Sequence, residues 1–277
     1  MPDETPGDGP TDPRVHPEAS PGFGSDLEGL ADIDVGRDVT LGEADPRELQ
    51  ATDVAPLADA STAETVRNLH EGDVVERRRA ALALGDHPAT DGVVGTLVEV
   101  GLTDDDADVR QFAVESLGTL GGARAEEGAV ASLADSNPWV RAEAVVALDR
   151  IDRGRFEDRL EAALADDHHA VRRNAAISLF KWRGPALLEE LLALTHDDSE
   201  RVREWAAHLL AGVDDPRAEA RLRELAADPD EPSVVSSTAA RSLRADPGTF
   251  RRQFTGGLEN DGADDPSKSR LNRQPDL

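Results

Sequence analysis

Residues 133–148 read LADSNPWVRAEAVVAL, residues 164–179 read LADDHHAVRRNAAISL, and residues 195–210 read THDDSERVREWAAHLL. Laid over one another at a step of 31, they share an aspartate, a Val-Arg pair, an alanine and a leucine. The step extends outward in both directions. Asp73, Asp104, Asp135, Asp166, Asp197 and Asp228 keep it without a gap. Val109, Val140, Val171 and Val202 keep it too, each followed directly by Arg110, Arg141, Arg172 or Arg203. Ala113, Ala144, Ala175 and Ala206 come next, then Leu117, Leu148, Leu179 and Leu210. Self-similarity at one fixed period is the signature of a repeat array, in which each unit buries its apolar face against its neighbours.

Within a unit the Val, Ala and Leu columns lie four residues apart, so on a helix they form one apolar stripe. Gly121-Gly122, Gly154, Gly184-Pro185 and Asp214-Asp215-Pro216 punctuate the chain between units. First helices are therefore predicted near 91–102, 123–134, 155–165, 185–195 and 216–227. Second helices are predicted near 106–120, 137–151, 168–182, 199–212 and 232–245. A first unit over 62–85 carries Glu76 where the valine belongs, and the last unit is shifted by two residues to Val235, Ala239 and Leu243. Ser61 with Glu64 reads as a capping box that opens the ordered region. The fold class is all-α: a right-handed α-α superhelix of about six helix pairs spanning 61–246. It is flanked by an acidic segment, 1–60, and a polar tail, 247–277.

The pattern Leu-x-Asp followed by Val-Arg-x-x-Ala-x-x-x-Leu resembles the short HEAT repeats of the phycocyanobilin-lyase HEAT-like group. It is carried here by Leu133, Asp135, Val140, Arg141, Ala144 and Leu148, and the resemblance extends over about 62–245. It implies a solenoid fold and, for most such proteins, an adaptor or scaffold role. The lyase activity of some relatives and the alkylated-DNA repair of another HEAT-like group are the alternatives it carries.

Composition narrows the functions. The chain has 57 acidic and 30 basic residues, a net charge of −27, and only two lysines, Lys181 and Lys268. Such acidity argues against nucleic acid and anionic membranes as partners. It is also the composition expected of an extreme halophile's protein, whose self-repulsion is screened in molar salt. The absence of cysteine excludes thiol catalysis and Cys-ligated metals. No basic-then-apolar leader and no apolar run of about 20 residues is present, so a cytoplasmic location is expected. Residues 1–60 hold 15 acidic and 3 basic residues and read as largely disordered. Within them Ile33, Val35, Val39 and Leu41 alternate as in a short strand.

The recurring Asp104, Asp135, Asp166 and Asp197, with Arg110, Arg141, Arg172 and Arg203, form a structural ladder, because a catalytic residue does not recur in every unit. The aspartates are placed to cap second helices, and the arginines to reach an aspartate of their own or an adjacent unit. His168, His169 and His196 share adjacent turns with Asp166, Asp167, Asp197 and Asp198, but lack the tight spacing of a zinc site. No catalytic residue, metal or cofactor is assigned. Arg77, Arg78, Arg79, Arg172 and Arg173 are the arginines available to a nucleic-acid reading.

The candidate binding site comes from the residues six and nine beyond each valine. On a wheel centred on the Val-Ala-Leu stripe they point away from the core, onto the concave surface that second helices line in HEAT arrays. Val146, Ile177 and Phe180 then form an exposed apolar strip with Trp205 and His208 beside it, a surface for a protein partner. Trp139 and Trp182 read as structural, with Trp182 in an inter-repeat core column. Phe250, Arg251, Arg252 and Phe254 read as a cap on the last repeat. A monomeric, non-enzymatic adaptor is the expectation.

Overall fold

The computed structural model describes residues 61–254. Six helix pairs follow one another: α1 (Thr62–Glu71) with α2 (Val74–Ala83), α3 (Asp91–Glu99) with α4 (Ala107–Leu120), and α5 (Ala123–Ser132) with α6 (Pro138–Asp152). Then come α7 (Glu157–Ala163) with α8 (His169–Arg183), α9 (Leu188–Leu194) with α10 (Glu200–Leu209), and α11 (Pro216–Ala227) with α12 (Ser233–Ser242). A thirteenth helix, α13 (Pro247–Phe254), follows the last pair. There is no strand among the described residues. The alternating segment at 33–41 lies outside them.

Each first helix packs on its own second helix, and successive second helices pack side by side, α2 on α4, α4 on α6 and so on to α12. The chain is thus a two-layer α-solenoid, with its core between the layers. Local chemistry places the joints where the punctuation residues stand. Gly121 and Gly184 close α4 and α8 with φ of 66° and 54°, a region that disfavours any side chain. Pro138 and Pro216 open α6 and α11, where a missing N–H costs nothing, behind Asn137 and Asp215 as caps.

Ser61 does accept from the Glu64 N–H, but the reciprocal box forms one helix later. There Asp73 caps α2 and its own N–H donates to Glu76 Oε2 at 2.9 Å. This accounts for the glutamate in the valine column: among the described residues no unit precedes the first to bury a valine against, and position 76 serves the helix start instead.

The ladder is an inter-unit clip of one geometry. Arg110 donates from Nε and Nη2 to both oxygens of Asp135 at 2.8 and 3.0 Å, and from Nη1 to the Asp104 carbonyl of its own unit at 2.9 Å. Arg141 repeats this on Asp166 and the Asp135 carbonyl, and Arg172 on Asp197 and the Asp166 carbonyl. Each guanidinium therefore bridges two consecutive turns, always toward the following unit. At the far end Arg203 takes Glu231 in place of Asp228. The two-residue shift of the last unit displaces the aspartate, and a longer side chain spans the gap.

The aspartates do not cap the second helices directly. Asp104, Asp135, Asp166 and Asp197 accept from the N–H two residues on, at Asp106, Asn137, His168 and Ser199. This is an Asx turn, and the donating residue is the one that stands at the helix N-cap. Burial alone would raise the carboxyl values of Asp135 and Asp166. The arginine and backbone hydrogen bonds outweigh it and hold both below the ordinary 3.8.

Candidate functional site

The five residues expected on an exposed strip are buried. Val146, Ile177, Phe180, Trp205 and His208 are each between 1 and 5% exposed. The companion column is buried as well, at Gly118, Asp149 and Ala211. The reason lies in the number of neighbours. A wheel drawn for one helix assigns one buried stripe, but a second helix in this stack touches its own first helix and the second helices before and after it. In α6 the residues from Ala142 to Leu148 are buried without a break. The run includes Glu143, so it is contact on several sides, and not an apolar face alone, that buries this helix. The contact is close enough that a Cβ at Gly118 would lie 2.8 Å from the Ala147 Cα on the neighbouring helix.

Val146 and Ile177 belong to the continuous core of the later units. Phe180 and His208 are different, because part of what covers them is not a repeat. Helix α13 turns back and lays its two phenylalanines over α8 and α10. Phe250 and Phe254 stack with ring centres 5.5 Å apart. Both stand edge-on to Phe180, at 6.2 and 5.4 Å, and to His208, at 5.0 and 6.4 Å. Trp205 meets His208 edge-on at 5.5 Å from the other side. Arg251 donates from Nη1 to the Gly212 carbonyl at 2.6 Å. The expectation that this segment caps the last repeat is corrected: its rings reach back to the fourth and fifth units. The one sequence signal for it was the i, i+4 spacing of Phe250 and Phe254, which puts both rings on one face of a helix.

The pocket around His208 is apolar with two unmet polar atoms. The His208 Nε2 and Trp205 Nε1 are buried and have no hydrogen-bond partner among the described residues. Burial, with help from the nearby Arg241 guanidinium, pushes the His208 imidazole down to about 3, so it is neutral across the physiological range.

The second cluster noted in the sequence, at the turns of units four and five, lines an open groove of about 870 Å³. Its members are His168, His169, His196, Arg172 and the neighbouring aspartates. The carboxylates best placed to act as ligands, Asp166 and Asp197, are already held bidentately by Arg141 and Arg172. His168 and His169 lie with ring centres 4.4 Å apart, tilted by 33°, with Trp139 edge-on to His168 at 5.1 Å. Burial, then the His169 ring, pushes His168 down to about 4. No group of three or more potential ligands is arranged for a metal among the described residues.

Four of the five arginines are engaged, while Arg79 leaves its buried Nε without a partner among the described residues. Arg77 pairs with Asp104, Arg78 with Asp106 and Asp108, and Arg172 with Asp197. Arg173 is buried and donates to Asn174. Trp182 departs from its expected core position: it is 48% exposed and its six-membered ring lies against Gly154, where a Cβ would come within 2.7 Å of it. No helix among the described residues is long and apolar enough to cross a membrane.

The sequence matches the family model for HEAT repeats over residues 62–149, 96–180 and 156–244. Together these matches span every helix pair, and the chain belongs to the HEAT-repeat family. Its fold is shared with Escherichia coli YibA, at 21% identity over 66% of this chain and 70% of that one, with a TM-score of 0.50. The archaeal HEAT-like repeats protein of Thermococcus onnurineus NA1 is similar at 16% identity, covering 77% and 97%, with a TM-score of 0.42. The CpcE–CpcF complex of phycocyanin lyase from Nostoc sp. PCC7120 is similar at 17% identity, covering 74% and 98%, with a TM-score of 0.37. No curated protein matches the sequence.

Proposed function

We propose that the chain is a non-enzymatic protein-binding scaffold whose working surface is the second-helix face of the solenoid. The observation that carries this reading is a division of labour among its residues. The columns that recur from unit to unit are spent on stacking: the Arg–Asp clips at the turns and the Val, Ala and Leu of the core. The aromatics that do not recur, Phe180 and Trp205 with His208 beside them, gather at one place on the second helices. Large aromatic side chains gathered at one place in an otherwise repetitive array, and covered there in part by a helix outside the array, are the anchors protein recognition uses once they are uncovered.

The test is photo-crosslinking in native lysate with a benzophenone amino acid at Glu115, partly exposed on α4, or at Glu161, exposed on α7. A protein crosslinked from position 115 at near-stoichiometric yield, and not from 161, is the expected result. Equal labelling from both layers would refute the face assignment, and no crosslinked protein from either would refute the scaffold reading.

A further inference from the structure

Helix α13 is not part of the repeat array: the family match ends at residue 244 and α13 begins at Pro247. It is tethered by an exposed connector, residues 244–246, and shows solvent Thr249, Arg252 and Gln253. Eight residues are too few to hold a helix in water, so its order depends on the surface beneath it. That surface is shaped for it. Gly212 sits where any Cβ would lie 2.5 Å from the Phe180 ring and 2.8 Å from the Phe250 ring, so the missing side chain is the space the aromatic occupies. The Gly212 carbonyl accepts from Arg251. The fit is incomplete, because His208, which packs against both phenylalanine rings, keeps a buried Nε2 without a partner among the described residues. A replacement helix thus has a hydrogen bond to gain that α13 does not make.

We propose that α13 is a displaceable occupant of a docking groove on α8 and α10, and that the groove takes a basic amphipathic helix of a partner protein carrying two aromatic side chains one turn apart. This rests on the scaffold reading and names its partner class. The recognition mode is a helix laid in a groove, read through side chains at i and i+4. The aromatic pair follows from the Phe250–Phe254 spacing, and the basic character from Arg251 and from a chain of net charge −27, which attracts cations and repels acidic helices. Held in place, α13 keeps the groove closed until a competitor of the same pattern arrives.

The experiment uses the full chain and a fluorescein-labelled peptide of residues 245–256, followed by anisotropy. Two variants vacate the groove by different routes: Phe250→Ala with Phe254→Ala removes the rings, and Arg252→Pro breaks α13 at an exposed position without touching the groove. Circular dichroism checks that each keeps its repeat helices. Both variants are expected to bind the peptide at least tenfold more tightly than the wild type. The gain disappears when the peptide carries alanine at both phenylalanine positions, or when Gly212→Leu is added to the protein. Vacated variants that stay helical and bind no better than wild type would overturn the proposal. So would a wild-type dimer in sedimentation that exchanges α13 between copies, since the occupant would then be a second copy. Peptide exchange as expected, with no protein crosslinked from position 115, would instead sink the scaffold reading and leave the groove standing.

Discussion

His208 makes acid a probe of the groove. Its imidazole is 4% exposed, enclosed by Trp205, Phe250 and Phe254, and its value falls from the ordinary 6.5 to about 3. The folded state therefore resists a proton that the unfolded chain accepts readily. Stability is intact above pH 6.5 and is lost progressively as the pH falls toward 3. Between pH 7.5 and pH 5.0 only the unfolded chain takes up this proton to any extent. Linkage across the part of that interval below 6.5, at 1.36 kcal/mol per pH unit, gives a loss of about 2 kcal/mol from this one group. The carboxylates add little in that window, because Asp106, Asp135 and Asp166 start from an ordinary 3.8 and move further down. His168 and His169 are also depressed and contribute losses of the same sign.

A difference measurement isolates His208. Urea unfolding at 222 nm is run at pH 7.5 and 5.0 on the wild type and on His208→Leu, which keeps the volume and removes the titration. The wild type is expected to lose about 2 kcal/mol more than the variant over this interval. The other histidines and the general change in net charge are common to both proteins and cancel. Identical losses in the two proteins would refute the reasoning, since they would mean that His208 meets solvent in the native state and that α13 does not seal it.

Three further outcomes follow from the packing. Arg141→Ala strips a clip that is about 15% exposed and leaves Asp166 short of its partner; chemical denaturation should show a loss of roughly 2–3 kcal/mol, and Arg141→Lys should recover only part of it because an ammonium cannot make the paired bonds. Gly118→Val drives a side chain into the Ala147 backbone, 2.8 Å from where its Cβ would stand, and should cost about 3 kcal/mol or more by the same assay. With a net charge of −27, thermal unfolding followed in 0.1 M and 2 M KCl should show a higher midpoint in the concentrated salt, where the screening length drops to about 3 Å or less.

The array was legible because one contact is made again and again. Each Arg–Asp clip constrains the same two positions in each unit, so the chain repeats those letters at a fixed step. α11 begins and ends where its punctuation places it, at Pro216 and Ala227. The second-helix face was not legible by the same route. A wheel centred on Val140, Ala144 and Leu148 treats Val146 as opposite the core, yet the helices on either side of α6 bury that flank as fully as the stripe. The cover over Phe180 comes from Phe254, far along the chain, and no local periodicity carries that pairing. Trp182 fails for a related reason. Its column is only half-buried at Leu120 and Ile151, and the larger indole lies against Gly154 with half its surface in the open.

The ladder and the groove sit at opposite ends of the same helices, and this couples them. The Arg172–Asp197 clip joins units four and five at the start of α8. Phe180 lies eight residues further along that helix, about 12 Å away at 1.5 Å per residue. The width of the groove between α8 and α10 is set by how those helices are splayed, and the clip is one of the two ends that fix the splay. Releasing it should loosen the seat of α13 without touching any aromatic residue. Arg172→Ala is therefore expected to speed hydrogen exchange across 247–254. Arg110→Ala cuts the equivalent clip between units two and three and should cost similar stability while leaving exchange in α13 unchanged. If both variants accelerate α13 equally, the effect is global unfolding and the coupling is absent. If only Arg172→Ala does, the repeated ion pairs hold the units together and also set the width of the groove that α13 closes.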